Sequence, residues 1–201
     1  MSVGVVVGCD RSQRWLFPWW WKHYSRHNSY PVKFVDFDAL ENKESSPLFK
    51  KPLAILRSPF ALTLWLDLDC QVMGSLEPLF HSLVFGDIGL VQEGDSIRQH
   101  DAEKGLLLPG EVNYNTGVIA VRKNAKILQQ WVDLAKKDLF LDDQYALVRA
   151  VFLYQPALVD LPPIYNWPNE YGPNEQAIIR HFDGIHGKLD ILHSLSGVVS
   201  I

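Results

Sequence analysis

The run LWLDLDCQV, residues 64–72, sets two carboxylates, Asp67 and Asp69, one residue apart inside an apolar stretch. Alternate side chains of an extended strand share a face. Trp65, Asp67 and Asp69 therefore fall on one side, and Leu64, Leu66 and Leu68 on the other. Carboxylates this close repel each other, and burying either one shifts its pKa or demands a compensating charge. Two readings stand on the pair alone: a solvated strand end, or a site where the two share a cation. In open α/β sheets, ligands bind outside the carboxyl ends of the strands. Asp10 follows the first candidate strand, Asp67 and Asp69 the third, and His181 lies near the last. Two carboxylates with one imidazole make a hard donor set, suited to Mn²⁺ or Mg²⁺ rather than to a thiophilic metal. Such an ion commonly bridges a diphosphate, and it would relieve the repulsion.

The elements that must hold these residues alternate between strand and helix. Residues 3–8 are a β-branched run that fits a buried parallel strand. RWLFPWWWKHY (14–24) follows, with Pro18 suited to a first helical turn and Trp15, Trp19 and Trp20 partly on one side. We read it as a core helix with an aromatic rim rather than a membrane-surface patch. Residues 30–38 alternate as a second strand. Residues 47–60 form a helix carrying Lys51, Leu53, Leu56 and Arg57, and 62–69 are the third strand. GSLEPLFHSL reads as a turn and short helix, and DIGLVQ as a strand. Residues 92–112 contain Glu93, Asp95, His100 and Asp101 with little periodicity, the pattern of a functional loop or lid. NYNTGVIAVRKN is a strand after a polar turn, and 124–137 have helical spacing. LDDQYALVRAVF opens another helix, with Asp142 or Asp143 where the helix dipole favours negative charge. PALVDLPPIYNW gives a short strand and a proline-stiffened loop; AIIRHFDGIHGK gives a strand and a Gly/His turn. The alternation predicts an α/β fold with a mostly parallel central sheet flanked by helices.

Composition narrows the function. The 201 residues fit one domain, and 47% hydrophobic residues supply a core. A net charge of −4 gives no global basic surface for nucleic acid. Cys9 and Cys70 both adjoin apolar runs and read as buried thiols rather than a disulfide. The N-terminus lacks a signal-peptide pattern, and no apolar run reaches the ~18 residues of a transmembrane helix, so the expected location is the cytoplasm.

Four segments taken together are more specific than the aspartate pair. WLDLDCQV, YNTGVIAV, LDDQYAL and HFDGIHGK occur in this order across most of the chain. This pattern resembles the family 8 glycosyltransferases, in particular the glycogenin and lipopolysaccharide galactosyltransferase group. The resemblance runs from about residue 3 to 188. It implies a single nucleotide-diphospho-sugar transferase domain over 1–201, with the Rossmann-like glycosyltransferase A fold. It implies Asp67, Asp69 and His181 as ligands of Mn²⁺ or Mg²⁺ on the diphosphate of a sugar nucleotide, usually a UDP-sugar. His181 and Gly184 match the start of the family's His-x-x-Gly-x-x-Lys motif. Lys188 falls one residue late, with Gly187 in the lysine's place and His186 as a competing phosphate or metal contact. Asn115 matches the asparagine that contacts the donor sugar, and Asp143 with Gln144 the pair beside the reacting carbon. Tyr145 stands where the family often has a further aspartate. Asp10 matches the acidic residue facing the nucleoside. Lys51, or its neighbour Arg57, matches a basic residue directed at the donor.

The resemblance implies transfer of a hexose, from UDP-glucose or UDP-galactose, to a carbohydrate, lipid-linked or protein hydroxyl, with retention at the anomeric carbon. Gln144 is a poor nucleophile as an amide, which points to front-side attack rather than a durable covalent intermediate. Tyr165, Asn166 and Trp167 suit stacking against an acceptor sugar. Each residue also has a plain structural alternative: a core histidine at 181, a turn residue at Asn115, helix caps at Asp142 and Asp143, a solvated helix face at Lys51 and Arg57. Two rival functions remain. One is a haloacid dehalogenase-type phosphatase, whose Asp-x-Asp-x-Thr signature WLDLDCQV approaches but does not match. The other is a sugar-nucleotide-binding domain without turnover.

Overall fold

The computed structural model describes residues 1–40 and 47–196. The chain opens with β1 (Val3–Cys9), α1 (Leu16–Tyr24) and β2 (Val32–Asp36), followed by α2 (Lys50–Leu56) and β3 (Leu62–Leu66). Next come β4 (Cys70–Val72), α3 (Glu77–Ser82), β5 (Ile88–Gln92), α4 (Asp95–Glu103) and β6 (Tyr114–Arg122). The chain continues with α5 (Lys126–Ala135), α6 (Asp143–Tyr154), β7 (Leu158–Asp160), β8 (Trp167–Pro168), β9 (Ile179–His181) and α7 (Gly184–Ser196).

Six strands form the central sheet in the order β2-β1-β3-β6-β5-β7. β1 pairs in parallel with β2 and β3, and β5 with β7; β6 alone runs antiparallel, between β3 and β5. The sheet is therefore mostly parallel, and helices cover both faces. Alternation along the strands divides the core. Val5, Val7, Leu64, Leu66, Val118 and Ala120 pack against α1 and α3 on one face. Val6, Trp65, Ile88, Leu90, Ile119 and Val121 pack against α2, α5 and α6 on the other. The tryptophan-rich helix contributes Trp19 and Trp20 to the interior and leaves Trp21 partly exposed. A small second sheet, β4-β9-β8, stands beside the first.

Three local expectations need correction. The third strand stops at Leu66 rather than running through residue 69. Asp67 N still donates to Gly117 O at 2.8 Å, but Cys70 N then closes a turn onto Asp67 O at 3.0 Å. That turn redirects the chain from the central sheet into β4. The stretch 92–112 is not a patternless loop, because it contains α4. The helix shows no apolar stripe because its one buried residue is polar: Asp101 accepts from Asn113 Nδ2 at 2.7 Å. The expected Gly/His turn after His181 is the first turn of α7. Gly187 sits there because a Cβ would lie 2.8 Å from the Phe182 Cα.

Candidate active site

Lys51, in the first turn of α2, reaches the end of β3. Its Nζ lies 3.0 Å from Asp67 Oδ2, 3.2 Å from Asp143 Oδ2 and 3.2 Å from Thr116 Oγ1. The other Asp67 oxygen, Oδ1, accepts from the buried Trp65 indole N–H at 2.7 Å. Both Asp67 oxygens are thus engaged. Burial works against the Lys51 ammonium, but Asp143 and Asp67 outweigh it and hold the pKa above the ordinary lysine value. Burial pushes the Asp143 carboxyl up, and Lys51 opposes that shift.

Asp69 has different partners. The turn after β3 and the pairing of Cys70 with His181 bring it against β9. Asp69 Oδ1 lies 3.3 Å from His181 Nε2, and Oδ2 lies 2.7 Å from Lys188 Nζ. Burial would raise the Asp69 pKa, but His181 and Lys188 override it and hold the carboxyl well below the usual range. Burial likewise disfavours the imidazolium, and Asp69 more than compensates, so the His181 pKa is raised. Gly117 makes room for the ring: a Cβ there would lie 2.7 Å from His181 Nδ1. Lys188 comes into reach because α7 is helical, placing it one turn beyond Gly184, whose carbonyl lies 3.5 Å from Nζ.

Asp69 and His181 fit a hard divalent cation; Asp67, whose oxygens face Lys51 and Trp65, would have to join them as a further carboxylate. Asp69 Oδ1 is buried and, beyond its 3.3 Å ion-pair contact with His181 Nε2, has no hydrogen-bond partner among the described residues. Adjacent ligands of an octahedral ion with bonds of about 2.1 Å stand roughly 3 Å apart, close to the separation of Asp69 Oδ1 and His181 Nε2. Cys70 lies near both, but burial drives its thiol pKa well up and its Sγ donates to Gly117 O at 3.6 Å. A protonated thiol is no ligand for such an ion, which leaves the oxygen and imidazole donors.

A hydrogen-bonded amide network lies beside the carboxylates. Asp142 caps α6 by accepting from Tyr145 N at 3.0 Å, leaving Asp143 to meet Lys51. Gln144 Oε1 accepts from Thr116 N at 3.3 Å. Its Nε2 donates to Glu93 Oε1 and Asn113 Oδ1, each at 3.2 Å. Asn115 Nδ2 donates to Glu93 Oε1 at 2.7 Å, while its Oδ1 accepts from Gly117 N and Asn166 Nδ2, both at 2.7 Å. Burial pushes the Glu93 carboxyl above its ordinary value against these donors.

Three cavities adjoin one another across the carboxylates and this network. A central one of about 510 Å³ is lined by Lys51, Asp67, Asp69, Gln144, His181 and Lys188, with Asn115, Asp143 and Gly184 also on its wall. A narrower one of about 240 Å³ shares Asp67 and Asp69 and extends to Asp10, Gln13 and Phe37. A third of about 450 Å³ carries Trp167, Tyr171, Arg98 and Asp160 and shares Glu93 and Asn115 with the central cavity. The fold therefore brings Asp10, Lys51, Asp67, Asp69, Asn115, Asp143, Gln144, His181, Gly184 and Lys188 to one region. It does not bring Arg57 there: that residue is exposed beyond the far end of α2, and its carbonyl accepts from Lys33 Nζ at 3.2 Å. His186 is exposed on α7 and lines none of these cavities. Sequence reasoning gave no role to Thr116 or Asn113 and placed Glu93 only within a functional loop or lid. Glu93 carried a usable signal, since it directly follows the apolar β5, as Asp10 follows β1.

The fold is the glycosyltransferase A architecture. No family model matches the sequence, and no curated protein sequence matches it. Solved structures do match. Over 98% of this chain and 96% of the other, it is similar to the galactosyltransferase LgtC in complex with donor and acceptor sugar analogs, with a TM-score of 0.64 and 14% identity. It is similar to the glycosyltransferase GlyE of Streptococcus pneumoniae TIGR4, with a TM-score of 0.65 and 18% identity, over 92% of this chain and 55% of that one. A glycosyltransferase involved in glycosylation of the major capsid of PBCV-1 matches over 96% of this chain and all of its own length, with a TM-score of 0.64 and 16% identity.

Proposed function

We propose that this protein is a metal-dependent glycosyltransferase that moves a hexose from a nucleotide diphosphate sugar, UDP-glucose or UDP-galactose, to a hydroxyl acceptor, with retention. One observation carries the reading. At the strand ends of this fold, Asp67, Asp69, His181, Lys51 and Lys188 converge on one cavity, between a cleft headed by Asp10 and a cleft walled by Trp167 and Tyr171. The solved glycosyltransferases of the same fold support it.

In this reading the Asp10 cleft takes the nucleoside and the central cavity takes the diphosphate and donor sugar. Asp67, Asp69 and His181 would hold Mn²⁺ or Mg²⁺, which when bound would supply positive charge to the departing diphosphate. Lys188 adds a fixed cation on the same side, which dispenses with a general acid for the leaving group. Lys51 holds Asp67 and Asp143 in place. Gln144, anchored at both ends of its amide, stabilises the positive character of the reacting carbon. The bond from that carbon to the diphosphate oxygen breaks with its electron pair on the leaving group, the acceptor oxygen forms the new bond, and its hydroxyl proton is taken up by a basic oxygen of the site and released to water. The cleft with Trp167 and Tyr171 takes the acceptor, a carbohydrate or a sugar-bearing lipid or protein, by stacking on aromatic faces.

The test is turnover of UDP-glucose and UDP-galactose with Mn²⁺ by wild type and Asp69→Ala. The wild type is expected to consume a donor only with metal present, and the variant to lose that activity. Unchanged turnover in the variant would remove the metal assignment. Phosphate release from an aryl phosphate without donor binding would instead favour the phosphatase reading, which nothing in the fold supports.

A further inference from the structure

Among the described residues, Glu93 is the one carboxylate that borders both the central cavity and the aromatic-walled cleft. It follows β5 directly, its backbone N–H donates to Asn113 O at 2.9 Å, and it is 8% exposed. A buried carboxylate with only partial satisfaction is costly. Here the satisfaction is one-sided. Asn115 Nδ2 at 2.7 Å and Gln144 Nε2 at 3.2 Å both donate to Oε1. No described residue donates to Oε2, and that atom is not among the fully enclosed unpartnered ones. An acceptor oxygen is therefore presented, in a fixed orientation, where the two cavities join.

We propose that Glu93 is the residue that receives the attacking nucleophile: its Oε2 accepts the hydrogen bond of the acceptor hydroxyl, or of water when no acceptor is bound, and aims that oxygen at the donor sugar. This rests on the sugar-transfer reading and adds to it a catalytic contact on the acceptor side. Gln144 acquires a linked role, since the amide that faces the donor also fixes which Glu93 oxygen faces the acceptor. The raised Glu93 pKa makes its carboxylate a stronger hydrogen-bond acceptor than an ordinary one.

The geometry supplies a clean substitution. In Glu93→Gln, the two amide donors hold the new carbonyl oxygen at the Oε1 position, so the new NH₂ occupies the Oε2 position. A hydrogen-bond acceptor becomes a donor without a change of shape. The measurement is donor affinity by calorimetry and donor hydrolysis by product release, using UDP-glucose and UDP-galactose with Mn²⁺ and water as nucleophile. For Glu93→Gln we expect donor Kd within about twofold of wild type and kcat for hydrolysis lower by about 100-fold, with Glu93→Asp intermediate. Hydrolysis within about threefold of wild type overturns the assignment. So does a parallel loss of donor affinity and turnover, which marks Glu93 as scaffold only, and so does a wild type that binds donor without turnover. A wild type that binds neither nucleotide sugar overturns the sugar-transfer reading itself, and that result is seen before any variant is compared.

Discussion

Asp67 and Asp69 stand a residue apart in the chain, yet each has its own counter-charge. Asp67 pairs with Lys51 and a tryptophan N–H; Asp69 pairs with Lys188 and His181. The turn after Leu66 separates their surroundings, so their repulsion is met before any ion arrives. This predicts a pH signature for the metal-free protein. The His181 pKa is raised above 6.5 by Asp69, so the pair's stabilisation is present below about pH 6.5 and is lost as pH rises through the elevated folded value. His23 is shifted down by burial, so it acts in the other direction and only below that range. In EDTA the melting temperature should fall as pH rises above about 6.5, and His181→Asn should flatten that fall. Equal slopes in the two proteins would show that His181 is not charged beside Asp69. The aspartates, His181, Asn115 and Gln144 were legible in sequence because their types and spacing suggest chemistry. Thr116 and Asn113 were not, because their value comes from which neighbour they face across a strand or helix, and no spacing rule reports that.

At the scale of elements, α7 shows why a one-residue offset need not matter. Read as a turn, the segment puts Lys188 out of step. Wound as a helix, it returns Lys188 toward Asp69 four residues after Gly184. Glycines suggest a turn when read singly, but here Gly187 serves the close packing of the helix on Phe182. Gly187→Ala should therefore cost about 1–3 kcal/mol by overpacking, read by urea denaturation. Because the added methyl forces the helix outward, the variant should also weaken UDP-sugar binding to the level of Lys188→Met. Full donor affinity in Gly187→Ala would mean that Lys188 tolerates the displacement. α4 was hidden for the opposite reason. A helix anchored by one buried aspartate leaves no apolar period to detect, so only the contact between Asp101 and Asn113 reveals what holds it.

For the whole molecule, strand and helix alternation made the α/β class legible, while the direction of β6 was not, because side-chain alternation is the same in both directions. No helix among the described residues is long and apolar enough to cross a membrane. The site draws on elements from β1 to α7, so ligands should report on global stability. Protein stripped with EDTA should melt higher with Mn²⁺, and higher again with Mn²⁺ and UDP-sugar together. At about 100 times Kd the linkage is worth about 2.7 kcal/mol. UDP-sugar that stabilises equally well in EDTA would exclude a shared metal.

The reversed strand has a further meaning. Strands β1 to β3 lie on one side of β6, and β5 and β7 on the other, so β6 follows β5 in the chain yet sits between β5 and the first three strands in the sheet. Neighbouring residues of β6 serve opposite sides: Thr116 meets Lys51, and Asn115 meets Glu93 and Asn166. β6 is thus the seam at which the two sides of the sheet share one site. A substitution at Asn115, Thr116 or Gly117 would therefore disturb both sides of the cleft at once, because this one stretch carries the hydrogen bonds that join them.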